Sequence, residues 1–205
     1  MLYLIGAGGH AKVVVDIAQQ AGRSIGGLLD DHPSHTHILG QPIIGTSQDW
    51  QSLGAWARFL IAIGGNAIRQ KIAAQMPSAY FDTITDPSAR IGQAVRLGAG
   101  TVVMPQVVIN AATQIGCHVI LNTAASIDHD CVIGDYAHIS PQATLCGGVS
   151  VGTGTHIGAG AVVIPGVRIG NWCTVGAGAV VIRDLPDGVV AVGNPSRTIN
   201  RQNKQ

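Results

Sequence analysis

Two histidines and three aspartates stand together in 126-SIDHDCVIGDYAHIS-140, within a chain of 205 residues of which only 11% are charged. A neutral imidazole takes up a proton near pH 7, so His129 and His138 are candidates for acid–base work. The carboxylates of Asp128 and Asp130 flank His129 and can orient its ring and raise its basicity. Successive strand residues point to opposite faces, so spacing leaves open which of the two does this. A second feature lies in 6-GAGGHA-11, where Gly6, Gly8 and Ala11 match G-x-G-x-x-A. Such a turn aims backbone N–H groups and a helix start at phosphate. His10 follows it, as a capping residue or a ligand contact. Asp30 and Asp31 end the next expected strand, where an acid can meet a ribose. The cluster 32-HPSHTH-37 holds three histidines with no carboxylate or cysteine among them, which fits a solvated loop better than a metal site.

The elements that carry these residues follow from periodicity. Stepping by six from Ile91 to Val181 meets an aliphatic residue at all sixteen positions. Four residues after each of the first fifteen comes Val, Thr, Ala or Cys, and Gly follows the aliphatic residue in eight of the sixteen. A period of six allows a short alternating strand and then requires a turn, so each hexad predicts one face of a coil with its aliphatic residue inward. Three faces make an 18-residue triangular coil, stacked at about 4.8 Å, or roughly 25 Å of solenoid. The small fifth residue fits a corner, and Gly is expected to supply backbone freedom at the turns. On this coil His129 shares a column with Ala111, Gly147 and Pro165, and His138 shares one with Val102, Ile120 and His156. The columns are half a turn apart, so the two histidines should point to different sides of one prism and meet only between subunits. Gly147 should leave bare backbone for a long ligand to approach.

Residues 1–85 have another rhythm. The runs 2–5, 26–31 and 59–64 read as strands, 12–22 and 66–76 as helices ended by Gly22 and Pro77, giving a small α/β unit with a parallel sheet. It has room for only half of a doubly wound domain, so a nucleotide other than NAD is expected on the glycine turn. Residues 86–205 then form the second domain, with Pro87 near the boundary. A formal charge of +1 gives no general reason to bind nucleic acid or an anionic membrane. No apolar segment reaches the roughly 18 residues of a membrane helix, and the N-terminus has no basic region of the signal-peptide kind. Cys117, Cys131, Cys146 and Cys173 lack CxxC spacing and read as reduced thiols of a cytoplasmic protein.

The hexads resemble the repeat of left-handed β-helix acyltransferases. Together with 6-GAGGHAKVV-14, 28-LLDD-31, 61-IAIGGNAIRQKI-72 and 192-VGNPSRTI-199, the chain resembles the NeuD/PglD-like sugar acetyltransferases, nearest to their UDP-amino-sugar N-acetyltransferases. The resemblance implies an N-terminal Rossmann-like nucleotide-sugar domain, a left-handed parallel β-helix, a homotrimer, and acetyl-CoA in a groove between neighbouring helices. It makes His129 the general base and Asp130 the residue that enhances its basicity. It makes His138, Gly147, Ala159 and Ala177 acetyl-CoA positions, and Gly8, Gly9, His10, Asp30, Asp31 and Gly64 nucleotide-sugar positions. Asp86 departs from the His that many relatives carry before the junction proline. The implied reaction is direct acetyl transfer to the sugar amine, with no serine or cysteine nucleophile and no metal.

Rival readings are O-acetylation of sialic acid or another sugar, and a non-catalytic nucleotide-sugar-binding scaffold. A β-helix carbonic anhydrase needs two zinc histidines five residues apart, whereas the solenoid steps here are 11, 9 and 18.

Overall fold

A computed structural model describes residues 1–77 and 80–199; the tail beyond 199, assigned above to the second domain, lies outside them. The N-terminal region is an α/β unit. Strand β1 (Leu2–Ile5) is central, flanked in parallel by β2 (Ile25–Leu29) and β5 (Arg58–Ile61). Beyond β2 lie β4 (Gln41–Gly45), parallel to it, and the two-residue β3 (His37–Ile38), antiparallel to β4. Helix α1 (Gly9–Gln20) starts at the glycine turn and is followed by Gly22, whose φ of +66° sits in the left-handed region that glycine enters freely. Helix α2 (Asn66–Ala73) follows β5. Two features differ from the sequence reading. The segment 37–53 holds β3, β4 and a 3-10 helix (Ser47–Leu53), and His37 belongs to β3 rather than to a loop. The two-residue β3 carries too little periodicity to stand out.

From Ile84 onward the chain is a parallel β-helix of two-residue strands on three faces. The first face runs from Arg90–Ile91 to Val180–Val181, the second from Arg96–Leu97 to Arg168–Ile169, and the third from Ile84–Thr85 to Thr174–Val175, closed by Val190–Val192 and Arg197–Ile199. The coils pair in register 18 residues on, as in Ile109↔Ile127 and Leu121↔Ile139, until the last, where Ile169↔Leu185 and Thr174↔Val190 are 16 residues apart. The aliphatic ladder points inward: Ile109, Ile127, Leu145, Val163 and Val181 are each 0% exposed. Each such side chain contributes roughly 1.5–3 kcal/mol by leaving water. Ile91, 38% exposed, and Leu97, half-buried, are the exceptions, because Arg90–Ile91 and Arg96–Leu97 are the end strands of their faces. The small corner residues are buried too, among them Thr113, Ala125, Cys131, Ala143 and Thr155.

The glycines correct one expectation. The turn residue with positive φ comes three places after the inward aliphatic, at every sixth residue from Ala94 to Gly178, and many of these are not glycine. Glycines directly after the aliphatic have another cause. A Cβ at Gly152 would lie 2.5 Å from the Gly170 carbonyl carbon, and one at Gly158 2.5 Å from the Ala177 nitrogen. They let successive coils stack closely at the corners.

One apolar core passes from Leu4, Val14 and Ile17 through Ile84 and Val102 into the solenoid, so the α/β unit packs directly on the third face. Asp86, at the junction, is 2% exposed and accepts hydrogen bonds from the backbone N–H and hydroxyl of Ser88.

Candidate active site

His129 leaves the first face at the corner after Ser126–Ile127. Asp130 is the turn residue of that corner, with φ +58°, a conformation that a short polar side chain tolerates better than a bulky one. That backbone places Asp130 Oδ2 2.7 Å from His129 Nδ1. The carboxylate can only accept, so Nδ1 carries the proton and Nε2 keeps a free lone pair. Asp128 binds main chain instead of the ring, its Oδ1 accepting from the His129 backbone N–H and from Asn110 Nδ2, each at 2.8 Å. The hydrogen bond to Asp130 and the charge of Asp128 hold the His129 pKa above the ordinary histidine value. Both members of the His129–Asp130 pair are exposed to solvent. The bare backbone expected at Gly147 is filled by this ring, since a Cβ there would lie 2.7 Å from both Cε1 and Nε2 of His129.

His138 stands on the third face, in the strand His138–Ile139, with Ile139 inward. Its ring stacks on that of His156 one coil above, centroids 4.9 Å apart and 10° from parallel. Asn122 Oδ1 accepts from the Thr123 N–H at 2.8 Å, which turns Nδ2 toward His138 Nε2 at 3.0 Å. Nε2 is therefore an acceptor, His138 is neutral, and its proton sits on Nδ1, where the Gly64 carbonyl is the partner. Burial first, then His156, Arg69 and His10, push its pKa down to about 3. His156 Nε2 lies 2.7 Å from Ser140 Oγ, and burial followed by Arg69 lowers its pKa. His10 opens helix α1 with its Nε2 buried, and its pKa is lowered to about 4 by burial and then Arg69.

One chain thus gathers His138, His156, His10 and Gly64 where the α/β unit meets the third face. His129 and Asp130 lie at the opposite corner, between the first and second faces.

The glycine turn is open: Gly8 caps α1 without a side-chain bond, and a Cβ at Gly8 or Gly9 would meet nothing within 4 Å. Asp30 and Asp31 are already engaged. Asp30 accepts from the Ala7 N–H at 2.6 Å and the His32 N–H at 2.8 Å, tying the turn to β2. Asp31 accepts from the Ser47 N–H at 2.7 Å and hydroxyl at 3.0 Å, which holds its pKa below the ordinary value. A cavity of about 190 Å³ opens between them and Ile5, Ile63 and Ile68. A second, of about 650 Å³, is lined by Gly64, Asn66, Gly154, His156, Trp172 and Thr174. His129 lines neither. Ala159 and Ala177 are exposed and stack at the corner after the third face, joined by a 2.8 Å bond from the Gly178 N–H to the Ala159 carbonyl.

Other titratable residues serve packing. Cys131 is buried with its thiol pKa raised by desolvation, as its corner place predicted. His118 stacks on Tyr136 at 5.3 Å and meets Phe81 edge-on at 4.5 Å. His32, His35 and His37 are exposed, and among the described residues no group of three or more His, Cys, Asp or Glu side chains is placed to hold a metal ion. Sequence reasoning missed Arg69, which is 1% exposed and bonds across to the solenoid. Nothing in 66-NAIRQKI-72 separates it from Lys71, so only packing reveals it.

Residues 1–76 match the PglD N-terminal domain, and residues 148–183 match the bacterial transferase hexapeptide (six repeats). The acetyltransferase domain of PglB from Neisseria gonorrhoeae FA1090 is 36% identical, with 97% of this chain and 98% of that chain covered and a TM-score of 0.91. PerB from Caulobacter crescentus, in complex with CoA and GDP-perosamine, is 40% identical over 97% of both chains with a TM-score of 0.90. UDP-N-acetylbacillosamine N-acetyltransferase of Bacillus subtilis (strain 168) is 40% identical over 109 residues, covering 49% of this chain and 50% of that protein. The chain thus spans half of that curated relative, and 21% of a mimivirus protein that is 34% identical over 102 residues. A Rossmann-like α/β unit followed by a left-handed β-helix with an exposed Asp–His pair defines a hexapeptide-repeat acyltransferase scaffold. Within that class, the chain belongs to the NeuD/PglD-like sugar acetyltransferases.

Proposed function

We propose that the protein transfers the acetyl group of acetyl-CoA to the amine of a nucleoside-diphosphate-linked amino sugar, with His129 as general base. The observation that carries this reading is the His129–Asp130 pair, in which Nδ1–H donates to the carboxylate and Nε2 is left exposed with raised basicity. Nε2 takes the proton as the neutral amine attacks the thioester carbonyl. The C–N bond forms, the C–S bond breaks, and the proton passes through His129 to the departing CoA sulfur. Residues 1–85 hold the nucleotide sugar at the open turn of Gly8 and Gly9, and residues 86–205 supply the coenzyme groove along Ala159 and Ala177. His138 is an acetyl-CoA contact on the third face, its Nδ1 proton kept by the Gly64 carbonyl, and Asp30 and Asp31 shape the acceptor pocket rather than leaving carboxylates free.

His129 and the His138 cluster lie on opposite sides of one prism, which supports a homotrimer in which His129 of one chain faces the cluster of the next. The test is release of CoA thiol on mixing acetyl-CoA with UDP-linked amino sugars, GDP-linked amino sugars and free sialic acids. UDP-linked acceptors are what the family resemblance implies, and the Caulobacter relative's GDP-perosamine makes the GDP arm their direct competitor. Release with sialic acid alone would replace the amine by a hydroxyl acceptor. His129→Ala should abolish turnover while acetyl-CoA still binds by calorimetry; near-normal turnover would remove the base assignment.

A further inference from the structure

Arg69 lies on α2 with 1% of its surface exposed, and no carboxylate pairs with it among the described residues. Its guanidinium spends its donors on carbonyls instead. Nη1 donates to Ile63 at 3.1 Å and Gly64 at 2.9 Å, both in the loop between β5 and α2. Nε donates to His118 at 3.1 Å, and Nη2 to Tyr136 at 2.8 Å and Ala137 at 3.3 Å, all in the solenoid. Ala137 directly precedes His138, and the Gly64 carbonyl is the partner of the His138 ring proton. One rigid fork therefore holds both ends of the contact between the loop and the histidine.

We propose that Arg69 is a positioning residue for acetyl transfer, locking the Gly64 loop to the coil that carries His138 and so fixing where the acceptor-holding unit sits against that histidine. A planar five-donor group bonded to main-chain atoms of three separate segments fixes direction as well as distance, which a lysine ammonium does not. The bonds to the solenoid cross 49 to 68 residues of sequence, so they set tertiary register rather than local shape. Charge adds to this. Arg69 is the fixed cation facing His10 on α1 and His118, His138 and His156 on the solenoid; His138 also faces His10 and His156, and His118 also faces Asp135. A buried cation among them favours neutral rings, and a neutral His138 keeps the proton on Nδ1 that the Gly64 carbonyl directs.

The proposal rests on the acetyl-transfer reading, and two kinds of measurement separate them. The first needs no turnover: nitrogen NMR of labelled imidazoles in the full chain, for wild type, Arg69→Lys and Arg69→Met. Wild type should show His138 as a single Nδ1–H tautomer. Arg69→Lys, which keeps the charge but not the fork, should mix the two tautomers without raising the protonation midpoints of His10 and His156. Arg69→Met should mix the tautomers and raise those midpoints. The second is kinetic: displacement of about 1 Å costs up to roughly 100-fold in rate, so Arg69→Lys should raise KM for the acceptor and lower kcat while leaving KM for acetyl-CoA within about twofold. If Arg69→Met does not fold, the lysine variant decides. A folded variant with an unchanged His138 tautomer overturns the proposal, as does a loss of melting temperature with both KM values unmoved. If wild type transfers acetyl to no acceptor, the function reading fails, and the tautomer measurement still judges Arg69.

Discussion

At the scale of single residues, His129 depends on three neighbours that each act on a different atom. Asp130 accepts the Nδ1–H hydrogen bond, Asp128 holds the backbone N–H, and Gly147 leaves room for the ring. Their removal should have separable consequences. Asp130→Asn loses the interaction that most favours protonation. The His129 pKa then falls, and with the neutral ring as the proposed base, the acidic limb of kcat/KM should move to lower pH while kcat drops by about 10- to 100-fold, in line with general-base contributions. A pH–rate profile checks it, and a limb that stays in place would show that the pair is ornamental. Gly147→Ala puts a methyl where Cε1 and Nε2 lie 2.7 Å away. Turnover should fall at least about tenfold as the ring swings aside, while the melting temperature barely moves, because the ring is exposed and relocates into solvent.

Elements are built here from repeats, and the two kinds of glycine in a hexad make different demands. Gly152 faces backbone, with the Gly170 carbonyl carbon 2.5 Å from a Cβ, so Gly152→Ala should destabilise by about 1–3 kcal/mol through overpacking of coils that cannot part. Gly160 has φ +64° and open space around it, and the equivalent corners at Asp130, Tyr136 and Gln142 adopt the same conformation without glycine. Gly160→Asn should therefore cost less than about 1 kcal/mol, since Asn enters the left-handed region readily. Denaturant titration of both variants distinguishes them; equal losses would merge two roles that the structure separates. The hexad frame was legible from Ile91 to Val181 because inward aliphatic and small corner residues recur at a fixed step, and a fixed step is a local property. What the step did not carry was which turn residue takes positive φ, since Ala, Gln, Asp, Tyr, Trp and Gly all serve there. The strand at 37–38 was illegible for the related reason that two residues make no pattern.

For the whole molecule, the contact between the α/β unit and the third face buries groups that prefer to be charged. His10 and His118 are lowered to about 4 and His138 to about 3, each chiefly by burial. Unfolding returns them to the ordinary value near 6.5. Above that pH both states are neutral and the groups contribute nothing. As pH falls from 6.5 toward 4 the unfolded chain binds protons that the folded chain does not, so stability drops through this window and levels off below it. Thermal melts from pH 8 to 4 should show that fall, and His118→Asn should flatten it; a profile flat from 6.5 to 4 would mean that the rings are protonated in the fold. Sedimentation should give a trimer, the assembly in which His129 of one chain can face His138 of another.

By itself the sequence determined the solenoid, its 18-residue coil and the separation of His129 from His138, because strand alternation and corner size act over a few residues and simply repeat. It also marked the glycine turn, whose geometry is local. Only the tertiary structure decided that Asp130 rather than Asp128 orients the ring, that Gly147 yields its space to an imidazole, and that Arg69 and His10 join the His138 cluster. Those outcomes follow from which turn dihedral a corner adopts and from burial between segments as much as 68 residues apart, and neither is encoded in any short window of the chain.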